Sequence, residues 1–195
     1  MMKRLYCLML TLVFIIIFFA SYGYAASLLP LEIGASYTYD VTDSSGNTWE
    51  MDTIVSGVAK VKVNWKKYFL GDLVGTDRDG GYQTILLRST SNGVYQYAGF
   101  NNEFLRFQKA EVGTSWIYDK CGDTIERKIE AIETVTVPAG TFKRCMKTCG
   151  YNISSTPPIL YECEWLKPGF GVVKEIDYYG VENPPIVKEL KSWTK

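Results

Sequence analysis

The chain has 195 residues, 47% of them hydrophobic and 14% aromatic, with 21 basic against 21 acidic side chains and no histidine. The missing imidazole excludes a Ser-His-Asp triad, a His-ligated metal and a neutral-pH imidazole base. Balanced charge argues against the basic face by which a nucleic-acid binder neutralises phosphates, and the hydrophobic content argues against a disordered chain.

At the N-terminus, Lys3 and Arg4 precede an unbroken apolar run from Leu8 to Ala20, followed by Ser21, Tyr22, Gly23, Tyr24 and Ala25. A positive start, an apolar stretch and a small-residue exit describe a secretory signal peptide. The run is short of the roughly 20 residues a membrane-spanning helix needs. Cleavage is expected after Ala25, leaving residues 26–195 as a single domain with no transmembrane anchor, exported to the periplasm or the medium. Cys7 lies ahead of the apolar run rather than at its exit, where a lipoprotein would need it.

Beyond the leader the alternation is that of strands, whose successive side chains point to opposite faces. Tyr37, Tyr39 and Val41 alternate with Thr38, Asp40 and Thr42; Asp43 to Asn47 has turn residues; Trp49, Met51, Thr53 and Val55 resume the period until Ser56-Gly57 breaks it. Val61, Val63 and Trp65 form the next alternating set. Further strands are predicted over 82–89, 94–100, 115–120, 124–137, 141–151, 159–166, 172–178 and 186–193. Short connections such as Ser91-Asn92-Gly93 permit only antiparallel neighbours. The stretch I-G-A-S-Y-T-Y-D from Ile33 returns as V-G-T-S-W-I-Y-D from Val112, so the domain reads as two similar halves, about 33–100 and 112–180, joined by Asn101 to Glu111. The expected fold is all-β: a curved antiparallel meander of about ten strands around one apolar interior, closed as a barrel or half-barrel, with a β-sandwich as the alternative.

Four cysteines follow the leader: Cys121, Cys145, Cys149 and Cys163. On one strand, Cys145 and Cys149 have α-carbons about 13 Å apart, too far for a disulfide, which spans roughly 4.4 to 6.8 Å. Cys163 shares a face with Ile159, Tyr161 and Trp165, while Leu160, Glu162, Glu164 and Leu166 occupy the other. In an antiparallel pair the Cys163 face meets the one carrying Cys145, Cys149 and Tyr151. The preferred bridge is therefore Cys149 to Cys163, with Cys145 a buried thiol and Cys121 a substitute partner. A redox or metal role for C-M-K-T-C is disfavoured because a strand lacks the helix dipole that helps hold a thiolate.

The segments E-T-V-T-V-P-A-G-T-F-K-R-C (133–145) and E-W-L-K-P-G-F-G-V-V-K (164–174), with the G-x-x-W opening at Gly113 to Trp116, resemble a family of exported bacterial β-domains of unknown function, the TapB-like group. The resemblance covers mainly residues 112 to 176. It implies export, a β-fold and a non-enzymatic default, and it brings no catalytic residues. Chain geometry accounts for the same motifs: Pro138 and Gly140 form one turn, and Pro168, Gly169 and Gly171 bend the chain at another.

Other candidates are weaker. Asp77, Asp79 and Gly80 lack the later ligands of a calcium loop. Glu126, Glu130 and Glu133 lie among Arg127 and Lys128 on a strand whose polar face is expected to meet water, which disfavours glycoside chemistry. Neither catalytic residues nor a metal or cofactor is expected. The function expected is non-catalytic binding of a hydrophobic molecule in the concave sheet or of an envelope protein, with a structural role in a surface assembly as the alternative.

Overall fold

The computed structural model describes residues 28–60, 66–74, 81–99, 102–120, 122–178 and 184–195. The expected leader, Val61 to Trp65, the Asp77-Asp79-Gly80 segment and Cys121 lie outside the described residues. Among the described residues there are twelve strands: β1 (Ser36–Thr42), β2 (Thr48–Lys60), β3 (Lys67–Val74), β4 (Tyr82–Ser89), β5 (Gly93–Gly99), β6 (Asn102–Gln108), β7 (Ser115–Lys120), β8 (Asp123–Val137), β9 (Gly140–Asn152), β10 (Ile159–Lys167), β11 (Gly171–Asp177) and β12 (Ile186–Thr194). No helix among the described residues is long and apolar enough to cross a membrane.

All twelve belong to one antiparallel sheet in the order β6-β5-β4-β3-β2-β1-β12-β11-β10-β9-β8-β7. β1 pairs with β12, so two six-strand meanders are joined at the middle and the sheet curls until β6 and β7, its two edges, come together. The result is a nearly closed barrel, the solution that spares a wide sheet a wet apolar face.

The two halves open alike. Gly34 and Gly113 take φ of 91° and 94°, a region open to glycine without steric cost. Each donates its N–H to a carbonyl of the second strand after it, Gly34 to Val55 in β2 and Gly113 to Ile129 in β8, both at 2.8 Å. The strands β1 and β7 then start at Ser36 and Ser115, the serines of the two matching motifs.

Two strands go beyond the sequence reading. Residues expected to join the halves form β6, and Lys67–Val74 forms β3. Neither alternates cleanly: Phe104 and Leu105 are adjacent, and β6 pairs with β5 through two irregularities, at Val94/Tyr95 and Tyr97/Gly99. Likewise Ser56-Gly57 does not end a strand; β2 continues through it with a bulge between Val55 and Gly57.

Register sorts the inward side chains into layers along the barrel. At one end, Val55, Leu87, Val94, Phe107, Ile129 and Leu166 are buried. Leu28 packs among them and its carbonyl accepts from the Gly169 N–H, while Leu29 N–H donates to Ser89 Oγ at 3.3 Å. The segment 28–31 thus lies across this end as a plug. Next to it the β8–β9 hairpin curls inward until Ala139 N–H reaches the Leu190 carbonyl at 2.9 Å. Phe142, Phe170 and Trp193 pack ring to ring there.

Candidate ligand site in the barrel interior

Above the apolar layer the inward positions become charged. Along β10, Leu166 is followed by Glu164 and Glu162; along β11, Val172 gives way to Glu175 and Asp177; along β8, Ile129 gives way to Arg127. Cross-strand register brings them side by side: Glu164 stands opposite Glu175, and Glu162 opposite Asp177. Lys188 stands opposite Glu175 from β12.

Arg127 is 2% exposed, and its guanidinium lies between two carboxylates, bonding Glu164 at 2.6 Å and Glu162 more closely still. It also donates to the Arg106 carbonyl at 3.0 Å. Arg106 itself reaches Glu164 at 2.5 Å and Gln96 Oε1 at 3.1 Å. Burial opposes the charge on Glu164, but the two guanidiniums overcome it and draw its carboxyl down to about 2. Arg127, whose charge burial likewise opposes, is held protonated by Glu164 and Glu162.

A second set is unevenly matched. Lys188 bonds Glu175 at 2.9 Å and Asp177 at 2.8 Å. One ammonium serving two carboxylates is held charged against its own burial, while burial, reinforced by the charges of Asp177 and Glu164, pushes the Glu175 carboxyl up. Glu162, Glu175 and Asp177 each bring a carboxylate oxygen within 4.8 Å of the others. This is the one set of acidic groups among the described residues with the spacing of a cation site, but Arg127 and Lys188 already engage all three.

These groups and the apolar layer enclose a cavity of about 350 Å³, lined also by Tyr39, Met51, Ile85, Tyr118, Lys120 and Tyr161. Leu87 and Phe107 at its plugged end are buried, whereas the lining residue Gln83 is exposed, so the cavity meets solvent at the charged end. Lys120 stands there, donating to the Tyr161 hydroxyl at 2.9 Å with its ammonium 4.5 Å from that ring.

The seam between β6 and β7 has no ladder. Trp116 Nε1 donates to the Leu105 carbonyl across it at 2.8 Å. Phe104 and Tyr118 stack with centroids 4.6 Å apart. A cleft of about 400 Å³ lies over the seam, walled by Glu103, Leu105, Ile117, Asp119 and the same two rings. The Phe104–Tyr118 pair therefore separates this cleft from the interior.

The interior corrects the sequence reading in three respects. It is not uniformly apolar. Arg127, expected on a face that meets water, is enclosed. On β10 a bulge between Leu160 and Glu162 shifts the register, so that Leu160, not Tyr161, stands opposite Tyr151 while Tyr161 lines the cavity. Beyond the bulge Cys163 faces Cys149, and the two are joined as a disulfide. This bridge lies on the face opposite Glu162 and Glu164; Cys145 is a buried free thiol. Glu130 accepts from the Tyr151 hydroxyl at 2.8 Å and Glu133 from the Trp165 indole. Pro138 lies in the β8–β9 turn and Gly140 starts β9; Pro168 and Gly169 lie in the β10–β11 turn. Gly171 lines the cavity, where a Cβ would come 3.3 Å from the Tyr37 ring.

The charged groups escaped sequence reasoning, although a signal exists: acidic residues two apart, Glu162 with Glu164 and Glu175 with Asp177, on consecutive strands of a hairpin whose other positions are largely apolar. Such a pair of faces meets in the hairpin, and the charges it gathers require cations from the neighbouring strands.

Residues 108–183 match the model of the DUF3108-like family, a span that contains the motifs at 112–176. No curated protein matches the chain. Among solved structures, the chain is similar to a Bacteroides fragilis protein described as exported and of YmcC-like fold, with 16% identity over 87% of this chain and 100% of that one and a TM-score of 0.58. A Parabacteroides distasonis protein described as a lipoprotein is 18% identical over 87% of this chain and 99% of its own, with a TM-score of 0.49. The architecture of this chain is thus similar to the YmcC-like fold, and its second half resembles a DUF3108-like domain.

Proposed function

We propose that this is an exported, non-catalytic binding protein that takes a small molecule into the barrel from its charged end. The carrying observation is the cavity of about 350 Å³, which falls in the range of small-ligand sites, roughly 300 to 1,000 Å³. A barrel filled by its own side chains would have favoured a purely structural role. Export rests on the leader-like N-terminus and on the description of the Bacteroides fragilis protein. The interior carboxylates are engaged by guanidinium or ammonium groups, an arrangement suited to holding shape rather than to moving protons. With charges at one end and aliphatic side chains at the other, the lining fits an amphipathic ligand better than the wholly hydrophobic one expected from sequence.

Native mass spectrometry with eight-carbon aliphatic probes tests this. One-to-one complexes are expected with the native chain and not with Ile85→Trp, whose indole fills the cavity. Failure of every probe to bind, or binding unaffected by I85W, overturns the proposal.

A further inference from the structure

Among the described residues four cations line the cavity: Arg106, Lys120, Arg127 and Lys188. Three of them are paired with carboxylates at 2.9 Å or less. Lys120 differs. Among the described residues its one hydrogen-bond partner is the neutral hydroxyl of Tyr161, and the ring beneath offers only a cation–π contact. An ammonium carries three donors, so two remain for something that enters the cavity.

The interior carboxylates near Lys120 are each bonded to at least one of the other three cations. Arg106, Arg127, Glu162 and Glu164 form a set of two cations and two anions. Lys188 serves both Glu175 and Asp177.

We infer that the ligand is a monoanionic amphiphile, its carboxylate seated on Lys120 and Tyr161 and its aliphatic tail directed towards Leu29, Leu31 and Leu87. This deepens the reading of the cavity as a ligand site and rests on it. Polarity along the barrel fixes the orientation, because a tail at the charged end would leave desolvated ion pairs against hydrocarbon. Size fixes the scale: at about 30 Å³ for each heavy atom, taking the share of a water molecule, the cavity holds a ligand of about a dozen such atoms. An eight- to ten-carbon carboxylate meets all three conditions.

Titration calorimetry with octanoate, octanol and octylamine, on the native chain and on Lys120→Met and Lys120→Arg, tests the inference. Octanoate is expected to bind the native chain at least tenfold more tightly than octanol. It loses that advantage on K120M and keeps it within about threefold on K120R. Octanol binding equally to native and K120M chains shows that the variant is folded with its cavity intact. Octanoate and octanol binding the native chain alike, or octanoate indifferent to K120M, overturns the headgroup assignment while leaving the cavity reading in place. Octylamine binding most tightly also overturns it, placing the anchor at Glu162, Glu175 and Asp177. If none of the three binds the native chain, the cavity reading itself fails.

Discussion

Arg127 and Glu164 show why buried charges need complete sets of partners. Glu164 is wholly enclosed and is the acceptor shared by Arg106 and Arg127. Replacing both members of such a set by apolar groups can be nearly neutral, whereas removing one leaves an uncompensated charge in a dry interior. Glu164→Gln is therefore expected to lower the stability of the fold by about 3 to 5 kcal/mol, read as an earlier midpoint in urea unfolding. A loss under 1 kcal/mol, in the range of an exposed pair, would mean that water reaches this site. Arg127 also shows what composition hides. An arginine flanked by Glu126 and Lys128 reads as part of a solvated face, yet strand geometry turns only its two neighbours outward.

Among the strands, those of the second half were the most legible, because β9 and β10, which carry Cys149 and Cys163, pair with a single irregularity, between Leu160 and Glu162. β6 was not legible. Its charges, Glu103 and Arg106, are used by partners far off in sequence: Arg88 for the first, Glu164 for the second. A local pattern cannot reveal these, and so β6 resembled a linker. Its position at the sheet edge adds a requirement, since edge carbonyls need hydrogen-bond donors from outside the ladder. The Trp116 indole supplies one to Leu105 and Arg127 supplies another to Arg106. Trp116→Phe keeps an aromatic ring packed against the apolar layer but removes the donor. Its expected effect is a loss of about 1 kcal/mol, with amide exchange accelerated in β6 and β7 and unchanged in β1 and β12. Uniform acceleration across all strands would show that the seam does not open independently.

At the scale of the whole barrel, its carboxylates give stability a pH dependence with two opposing limbs. Glu103 and Glu164 belong to separate networks. Burial opposes their ionisation, yet Arg88, Lys66 and Tyr68 draw Glu103 down to about 2, and Arg106 and Arg127 do the same for Glu164. A depressed carboxyl binds a proton less readily in the fold than in the unfolded chain. Its contribution is full above the ordinary value of 4.5 and is lost as pH falls towards 2. Glu175 has the opposite sign. Burial first, and then Asp177 and Glu164, raise its carboxyl above 4.5, so the fold binds this proton more tightly than the unfolded chain, and the associated stability declines as pH rises through the raised value. Together the limbs place the stability maximum near the ordinary carboxyl value of 4.5, with the melting temperature falling both as pH drops from there towards 2 and as it rises through the raised Glu175 value. Glu175→Gln keeps the uncharged form at every pH. It is expected to flatten the neutral limb, so that melting temperatures at pH 5 and 7.5 coincide, while leaving the acid limb where Glu103 and Glu164 set it. Calorimetric scans across that range check both limbs, and a neutral limb that persists in E175Q would assign it to another group.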